Sequence, residues 1–335
     1  MNANTPTPTD ADTLNGLAQL CKGTGDPLRL EVLRALKTDS FGVLELCEVF
    51  GIKQPAMSHH LKVLANCGAV TTRREGNSIF YRRALADISQ AHGQLLQALF
   101  RSIDQASLSA STYTNIEAIK QGREEAAREF FDRHADQFRE QQELIALFDQ
   151  YAESVTDLLL QTNPNKQHKA LEIGPGEGAF LPVLAQQFDS VVAIDISKEM
   201  LEKAEQLRQN QSLHNVQLFQ ADTEQAVKDN IKVDRIVCNM VLHHVPSPAD
   251  VFKDCAALLN ENGSLVISDL CRHDQDWVKK NCGDLWLGFD PEELSDWAHE
   301  AGLESKDSLY LGLRNGFQIQ VRRFDKSATT HMHQN

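Results

Sequence analysis

The sequence predicts two domains of different class: a mostly helical N-terminal domain ending in a basic β-hairpin, then an α/β domain with a doubly wound, largely parallel sheet. Three observations predict this. QPAMSHHLKVL at 54–64 is a short amphipathic helix behind a glycine break, and AVTTRREGNSIFYRRA after it alternates about a turn. Farther on, LEIGPGEGAF at 171–180 and VVAID ending at Asp195 describe strand, glycine turn, helix and strand, and apolar strands then alternate with amphipathic helices. At 335 residues the chain has material for two cores.

The first element with a clear start is DPLRLEVLRAL at 26–36, a helix with an Asp cap and proline in its first turn. A second helix follows Ser40, with Val43, Leu46, Cys47 and Phe50 on one face and Gly51 ending it. In the third, Met57, Leu61 and Leu64 must face the core, which turns Ser58, His59 and Lys62 outward; Gln54 at the helix start joins them as a candidate DNA contact. Two helices broken by a glycine turn, the second polar near its N-terminus, fit a helix-turn-helix entering a DNA major groove. The hairpin carries Arg73, Arg74, Arg82 and Arg83 around the turn Glu75-Gly76-Asn77, and reads as a wing that holds phosphates or reaches the minor groove. The charge is distributed accordingly. The whole chain carries a net −14, yet Leu14–Leu85 has ten Lys/Arg against six Asp/Glu. An acidic body repels phosphate, so DNA contact is confined to the N-terminal module.

QPAMSHHLKVLANCGAV followed by REGNSIFYRR resembles the ArsR/SmtB winged-helix repressors over residues 14–105. The resemblance implies a homodimer built on a helix from Asp87 to Ile103, with Ile88, Leu95, Leu96, Leu99 and Phe100 as its stripe, bound to a palindromic double-stranded operator. It also implies a place for a metal-sensing cysteine pair, about twelve and ten residues before the recognition-helix Gln. Those positions hold Gly42 and Leu44. On the dimer helix Asp87 is followed by Ser89, with only His92 nearby, so no metal is expected and the sensor lies elsewhere.

Residues 106–123 turn to Ser, Thr, Gln and Asn and read as a linker, with a helix restarting in EEAAREFFDRHADQF at Glu124. The strands are KALEIG, VVAIDI, VQLFQAD, DRIVCNM and GSLVISDL; a helix capped at Asp290-Pro291 and a hairpin turning at Asn315-Gly316 complete an antiparallel edge. Gly174, Gly176 and Gly178 let the backbone approach a ligand, and Asp195 ends the second strand where it accepts ribose hydroxyls. That much suits a dinucleotide equally. Asp222 closing the third strand, and VLHHV after the fourth, decide against it.

Together these residues resemble the class I S-adenosylmethionine-dependent methyltransferases, over residues 124–325. The resemblance implies a Rossmann-like fold with Glu172 and Gly174 to Gly178 at the methionine portion, Asp195 and Ile196 at the ribose, and Asp222 at the adenine. Asn239 closes one side and Phe131 covers the cofactor. Either S-adenosylmethionine or S-adenosylhomocysteine suits this set. No catalytic residue is assigned. His243 and His244 read as structural histidines and a poor metal pair, because adjacent residues point in different directions. The segment after Asn239 is not N/D-P-P-Y, which disfavours DNA methylation.

The two modules together resemble the SahR-type S-adenosylhomocysteine-responsive regulators, which implies a transcriptional repressor of methionine and S-adenosylmethionine-cycle genes. The alternative is an active methyltransferase of a small molecule, of which an arsenite methyltransferase with gathered thiolates is a narrow version. Seven scattered cysteines without a CxxC pair, and no apolar run near the roughly 18 residues of a membrane helix, suggest a cytoplasmic protein with no membrane partner. Residues 1–13 and 326–335 are expected to be disordered tails.

Overall fold

The computed structural model describes residues 10–76, 78–161 and 169–327. Residues 1–9 and 328–335 of the expected tails, and Asn77 of the hairpin tip, lie outside them. The chain divides into two compact units at Gly122/Arg123.

The first unit contains α1 (Asp10–Thr24), α2 (Pro27–Ala35), β1 (Phe41–Gly42), α3 (Val43–Phe50), α4 (Gln54–Asn66), β2 (Val70–Glu75), β3 (Ser78–Arg83) and α5 (Ala91–Ile103). Asp26 caps α2 by accepting from the Arg29 backbone N–H at 3.1 Å, and Gly51 (φ +64°) ends α3 in the left-handed region. Leu20, Leu33, Leu46, Met57, Leu61 and Leu64 form the core with Phe41. The strands pair β1-β3-β2, with Arg73 opposite Phe80 and Arg74 opposite Ile79.

Three expectations in this unit change. α1 starts at Asp10, inside the expected tail, and anchors to the core through Leu20. α5 begins at Ala91 rather than Asp87: the Asp87 carboxylate accepts from the Ser89 backbone N–H (3.0 Å) and hydroxyl (2.6 Å), holding a turn instead of a helix. The polar segment read as a linker is helical from Ala110, the start of α6 (Ala110–Glu143), without a break at Glu124. The Ser109 hydroxyl accepts from the Thr112 N–H at 3.1 Å, and Thr112 and Ile116 are buried with Ile119 packed beside them. That i, i+4, i+7 stripe supports a helix whose remaining faces are polar.

The second unit continues with α7 (Ala152–Leu160), β4 (Lys169–Ile173), α8 (Leu181–Gln187), β5 (Ser190–Asp195), α9 (Lys198–Asn210), β6 (Val216–Gln220), α10 (Thr223–Lys228) and β7 (Val233–Asn239). After a 3-10 turn at Leu242–His244 come α11 (Pro248–Leu258), β8 (Leu259–Leu270), α12 (Trp277–Asn281), α13 (Pro291–Glu300), β9 (Leu303–Gly312) and β10 (Gln318–Lys326). The seven strands order β6-β5-β4-β7-β8-β10-β9, all parallel except β10, which is antiparallel to both neighbours. This is the expected doubly wound α/β sheet with an antiparallel edge. β4 and β5 are apolar along most of their length because helices cover both faces. The chain leaves β4 for β5 and β6, then returns to β7 on the other side. That reversal opens a crevice beyond the carboxyl ends of β4 and β7, where open α/β sheets bind ligands. Among the described residues no helix is long and apolar enough to cross a membrane.

Candidate functional site

The turn after β4 sits at this crevice. Gly174 (φ +65°) donates its N–H to the Ile194 carbonyl at 2.8 Å, and a Cβ there would lie 2.6 Å from Val241 Cγ2. At Gly176 (φ +54°) a Cβ would meet nothing within 4 Å. The first glycine is required by packing; the second opens onto free space, with a backbone conformation that side chains disfavour.

Around that space the second unit gathers Glu172, Asp195 and Asn239. Glu172 is 2% exposed, and its Oε2 is buried without a hydrogen-bond partner. Burial pushes its carboxyl up to about 8; the nearby Asn239 amide works against this, and Asp195 adds to it. Asn239 accepts from the Ser268 hydroxyl at 2.9 Å through Oδ1, while its Nδ2 has no partner. The Asn239 amide is also the neighbour that eases the Glu172 carboxylate, so the two atoms form one weakly satisfied pair, costing roughly 1–3 kcal/mol unless something else satisfies them. Asp195 Oδ1 accepts from the Ser197 N–H at 2.9 Å. Burial lifts this carboxyl to about 6 against the pull of the Ser197, Gly176 and Ile196 backbone N–H groups.

The remaining expected positions lie around this centre. The Ile196 carbonyl accepts from Gln220 Nε2 at 3.2 Å. Asp222 is exposed and caps α10 by accepting from the Gln225 N–H at 2.7 Å, so one carboxylate oxygen has a structural task. Phe131 on α6 packs against Met200 and sets its ring edge-on to His244, with centroids 4.9 Å apart. Three residues escaped the sequence reading. Asp132, beside Phe131, accepts from the Ser197 hydroxyl at 2.8 Å and so fastens α6 to the loop after β5. Tyr151, at the start of α7, has a phenol pushed up by burial and by Glu172. The only sequence signal was adjacency: Asp132 and Ser197 each neighbour a residue already singled out.

The expected divergence of His243 and His244 is corrected. The 3-10 turn brings their rings to a centroid separation of 4.1 Å. His243 Nδ1 lies 2.9 Å from Asp269 Oδ1, and both residues are buried. Burial opposes charge on His243, but Asp269 and Asp284 outweigh it and raise the imidazole to about 9. Burial and the charged neighbour drive His244 the other way. The thiols of Cys238, Cys255, Cys271 and Cys282 are all raised by burial, so none is a ready thiolate.

In the first unit, Gln54, Ser58, His59 and Lys62 are exposed along α4 while Met57, Leu61 and Leu64 are buried. The wing arginines separate into two kinds. Arg74 is exposed and Arg82 half-buried. Arg73 is 4% exposed and paired with Glu75, whereas Arg83 makes a bidentate pair with Asp104 (2.7 and 3.1 Å) and donates to the Leu33 carbonyl at 2.6 Å. Their charge is used within the fold, which corrects the expected display of Arg73 and Arg83. Arg83→Ala is expected to lower stability by about 2–3 kcal/mol, because it leaves Asp104 half-buried without its fork partner. Urea unfolding checks this; Arg74→Ala stays within about 0.5 kcal/mol of wild type.

Residues 110–306, more than half of the chain, match the family model described as "Methyltransferase domain". The chain belongs to this methyltransferase-domain family. Residues 26–72 match a second model, "Bacterial regulatory protein, arsR family", so an arsR-type helix-turn-helix is fused to the methyltransferase domain. Among curated proteins the chain is similar to a ubiquinone biosynthesis O-methyltransferase of Pseudomonas aeruginosa, 31% identical over 157 residues, covering 43% of this chain and 67% of the relative. The Coxiella burnetii protein of the same description is 29% identical over 170 residues, covering 46% and 72%. Among solved structures it is similar to magnesium protoporphyrin IX methyltransferase from Synechocystis PCC 6803 with bound SAH, at 19% identity and TM-score 0.50, covering 61% of this chain and 100% of that one. The [4+2]-cyclase SpnF matches at 14% identity and TM-score 0.50, covering 60% and 95%. A methyltransferase and a cyclase thus share one fold, and the fold alone does not fix the reaction.

Proposed function

We propose that this chain is a DNA-binding transcriptional repressor of the ArsR type whose methyltransferase-like domain binds S-adenosylhomocysteine or S-adenosylmethionine as effector. It acts in the cytoplasm as a homodimer on a palindromic operator and controls methionine and S-adenosylmethionine-cycle genes. The observation that carries the reading is the orphaned pair Glu172 Oε2 and Asn239 Nδ2 beside the open Gly176, in a chain that also exposes Gln54, Ser58, His59 and Lys62 on one helix. An α-amino acid with an attached ribose fits that crevice chemically. Glu172 would take the ammonium, the Gly174–Gly178 backbone the methionine portion, Asp195 and Ile196 the ribose, Asp222 the adenine amine, and Asn239 one wall with Phe131 as cover. The ligands differ by one methyl and one sulfonium charge, so anionic surroundings favour the methylated form and an uncharged wall the demethylated one.

The effector acts by binding the DNA-incompetent state more tightly. A preference of ~100-fold shifts the equilibrium by about 2.7 kcal/mol, enough to induce. On the DNA side, Lys62→Ala is expected to weaken operator binding and to flatten the dependence of log affinity on log salt by about 0.9 for each phosphate that is no longer neutralised. A fluorescence-anisotropy titration at several salt concentrations reads both, and an unchanged slope would remove Lys62 from the phosphate-contacting set.

A second reading is favoured by the likeness to the O-methyltransferases. Methyl transfer needs little beyond alignment in a dry site, so this domain also suits an active enzyme on a small molecule. A labelled-methyl assay separates the two: turnover supports the enzyme, tight binding without turnover the sensor.

A further inference from the structure

Beside the crevice the second unit holds a polar cluster that the effector reading does not use. His243, His244 and Asp284 are 1%, 7% and 4% exposed, and each offers a ligand atom within 4.8 Å of the other two. His244 Nδ1 lies 3.9 Å from Asp284 Oδ1 and 3.3 Å from the Gly283 carbonyl, which it gives up, with its proton, when it turns to an ion. A tetrahedral ion with bonds of about 2.0–2.2 Å holds its ligand atoms roughly 3.3–3.6 Å apart, so the His244 and Asp284 atoms close by a few tenths of an ångström on binding and the third atom moves by up to about 1.3 Å.

The surroundings are built to hold these atoms in place. His243 is oriented by Asp269, whose Oδ1 lies 2.9 Å from Nδ1, leaving Nε2 for another partner. A carboxylate behind an imidazole is the usual support of a metal-binding histidine. The Asp269 carboxylate is itself fixed by the Leu270 N–H at 2.7 Å, and its Oδ2 is buried without a partner. The loop carrying Asp284 is strapped to the histidine turn, since the His243 carbonyl accepts from the Leu285 N–H (2.9 Å) and the Trp286 N–H (3.0 Å). Gly283 (φ +77°) leaves no room for a side chain against Phe130. A packed core gains nothing from two imidazoles and two carboxylates that an aliphatic cluster would not supply at lower desolvation cost.

We propose that His243, His244 and Asp284 bind one divalent transition-metal ion of the zinc class, with Asp269 as the positioning residue behind His243. Three protein ligands leave a fourth coordination position, the arrangement of a reactive or ligand-exchanging site rather than a closed structural one. Phe131 packs edge-on to His244 and Phe130 lies against Gly283, beside the cluster. The sequence also carries His331 and His333 near its end, a competing chelator that the test must remove.

The test uses the full chain with both terminal histidines changed (His331→Ala, His333→Ala), stripped with chelator and titrated with Co²⁺ alone. One equivalent with visible ligand-field absorption is expected. Asp269→Asn is expected to weaken binding by about 10–100-fold, as loss of an outer partner does, and Asp284→Asn or His244→Gln by more. Circular dichroism confirms that each variant is folded. Absence of the absorption band in the folded parent, or equal affinity in the parent and the Asp284→Asn and His244→Gln variants, overturns the assignment. No operator or nucleoside enters this measurement, so its failure leaves the regulatory reading standing.

Discussion

Asp195→Ala is expected to reduce affinity for S-adenosylhomocysteine by about 100-fold while operator affinity without ligand stays at the wild-type value. The carboxylate at the end of β5 stands where two ribose hydroxyls would be accepted. Hydrogen bonds to a charged group contribute about 1.5–3 kcal/mol each, so losing both costs about 3 kcal/mol, which is two decades. Part of the carboxylate's capacity holds the Ser197 N–H, so Asp195→Asn, which keeps an acceptor there, is the companion variant. It should retain the local fold and still lose most of the affinity. Calorimetry with both ligands, followed by an operator shift on the same preparations, reads the two quantities separately. If alanine leaves ligand affinity within threefold of wild type, Asp195 does not hold the ribose.

Glu172→Gln is expected to move stability and ligand affinity in opposite directions. The wild-type carboxyl is raised to about 8, so the fold favours its protonated form. The associated stabilisation is complete below the ordinary carboxyl range, declines above it, and is gone once the pH has risen through about 8. Between pH 6 and 8 one released proton changes stability by up to 1.4 kcal/mol per pH unit, so the ligand-free wild type should lose on the order of 2 kcal/mol there. The variant should lose less, because glutamine does not titrate. At pH 8 it should therefore melt roughly 4–8 °C higher than wild type. Asp195, whose rise reaches only about 6, contributes mainly below this window, and the Tyr151 phenol is displaced upward, away from it. The same substitution removes the partner of the ligand's ammonium and should weaken binding by about 10–100-fold. Identical slopes of melting temperature against pH in the two proteins would show that Glu172 is ionised throughout. A site that is less stable empty than a neutral substitute would make it is the expected signature of one shaped for a ligand.

Much of this was legible in the sequence because the decisive residues are local. Glycines at 174, 176 and 178 followed by Asp195 specify a turn and a strand end within one βαβ unit, and Met57, Leu61 and Leu64 set the outward face of α4 by periodicity alone. What escaped depends on partners distant in sequence, or on composition that hides a stripe. The start of α6 is rich in Ser, Thr and Asn, which masks the Thr112, Ile116 and Ile119 face that makes it a helix. Arg73 and Arg82 lie on one face of the wing, Arg74 and Arg83 on the other, so alternation alone does not say which is displayed. The partner decides: Glu75 two residues along β2 takes Arg73, and Asp104 beyond α5 takes Arg83. The first pairing could have been read from the alternation of β2; the second needed the fold. The meeting of His243 and His244 was invisible because extended-chain reasoning separates adjacent side chains, whereas a 3-10 turn brings their rings together.

The central claim is that occupancy of the methyltransferase-like domain is read out on DNA. The most direct measurement is the operator affinity of the full chain at fixed salt, taken without ligand and then under saturating S-adenosylhomocysteine and S-adenosylmethionine in turn. The account predicts that at least one of them weakens operator binding, by up to ~100-fold, and that Asp195→Ala abolishes the effect. Operator affinity unchanged under saturation by both, with calorimetry confirming that both are bound, would contradict it.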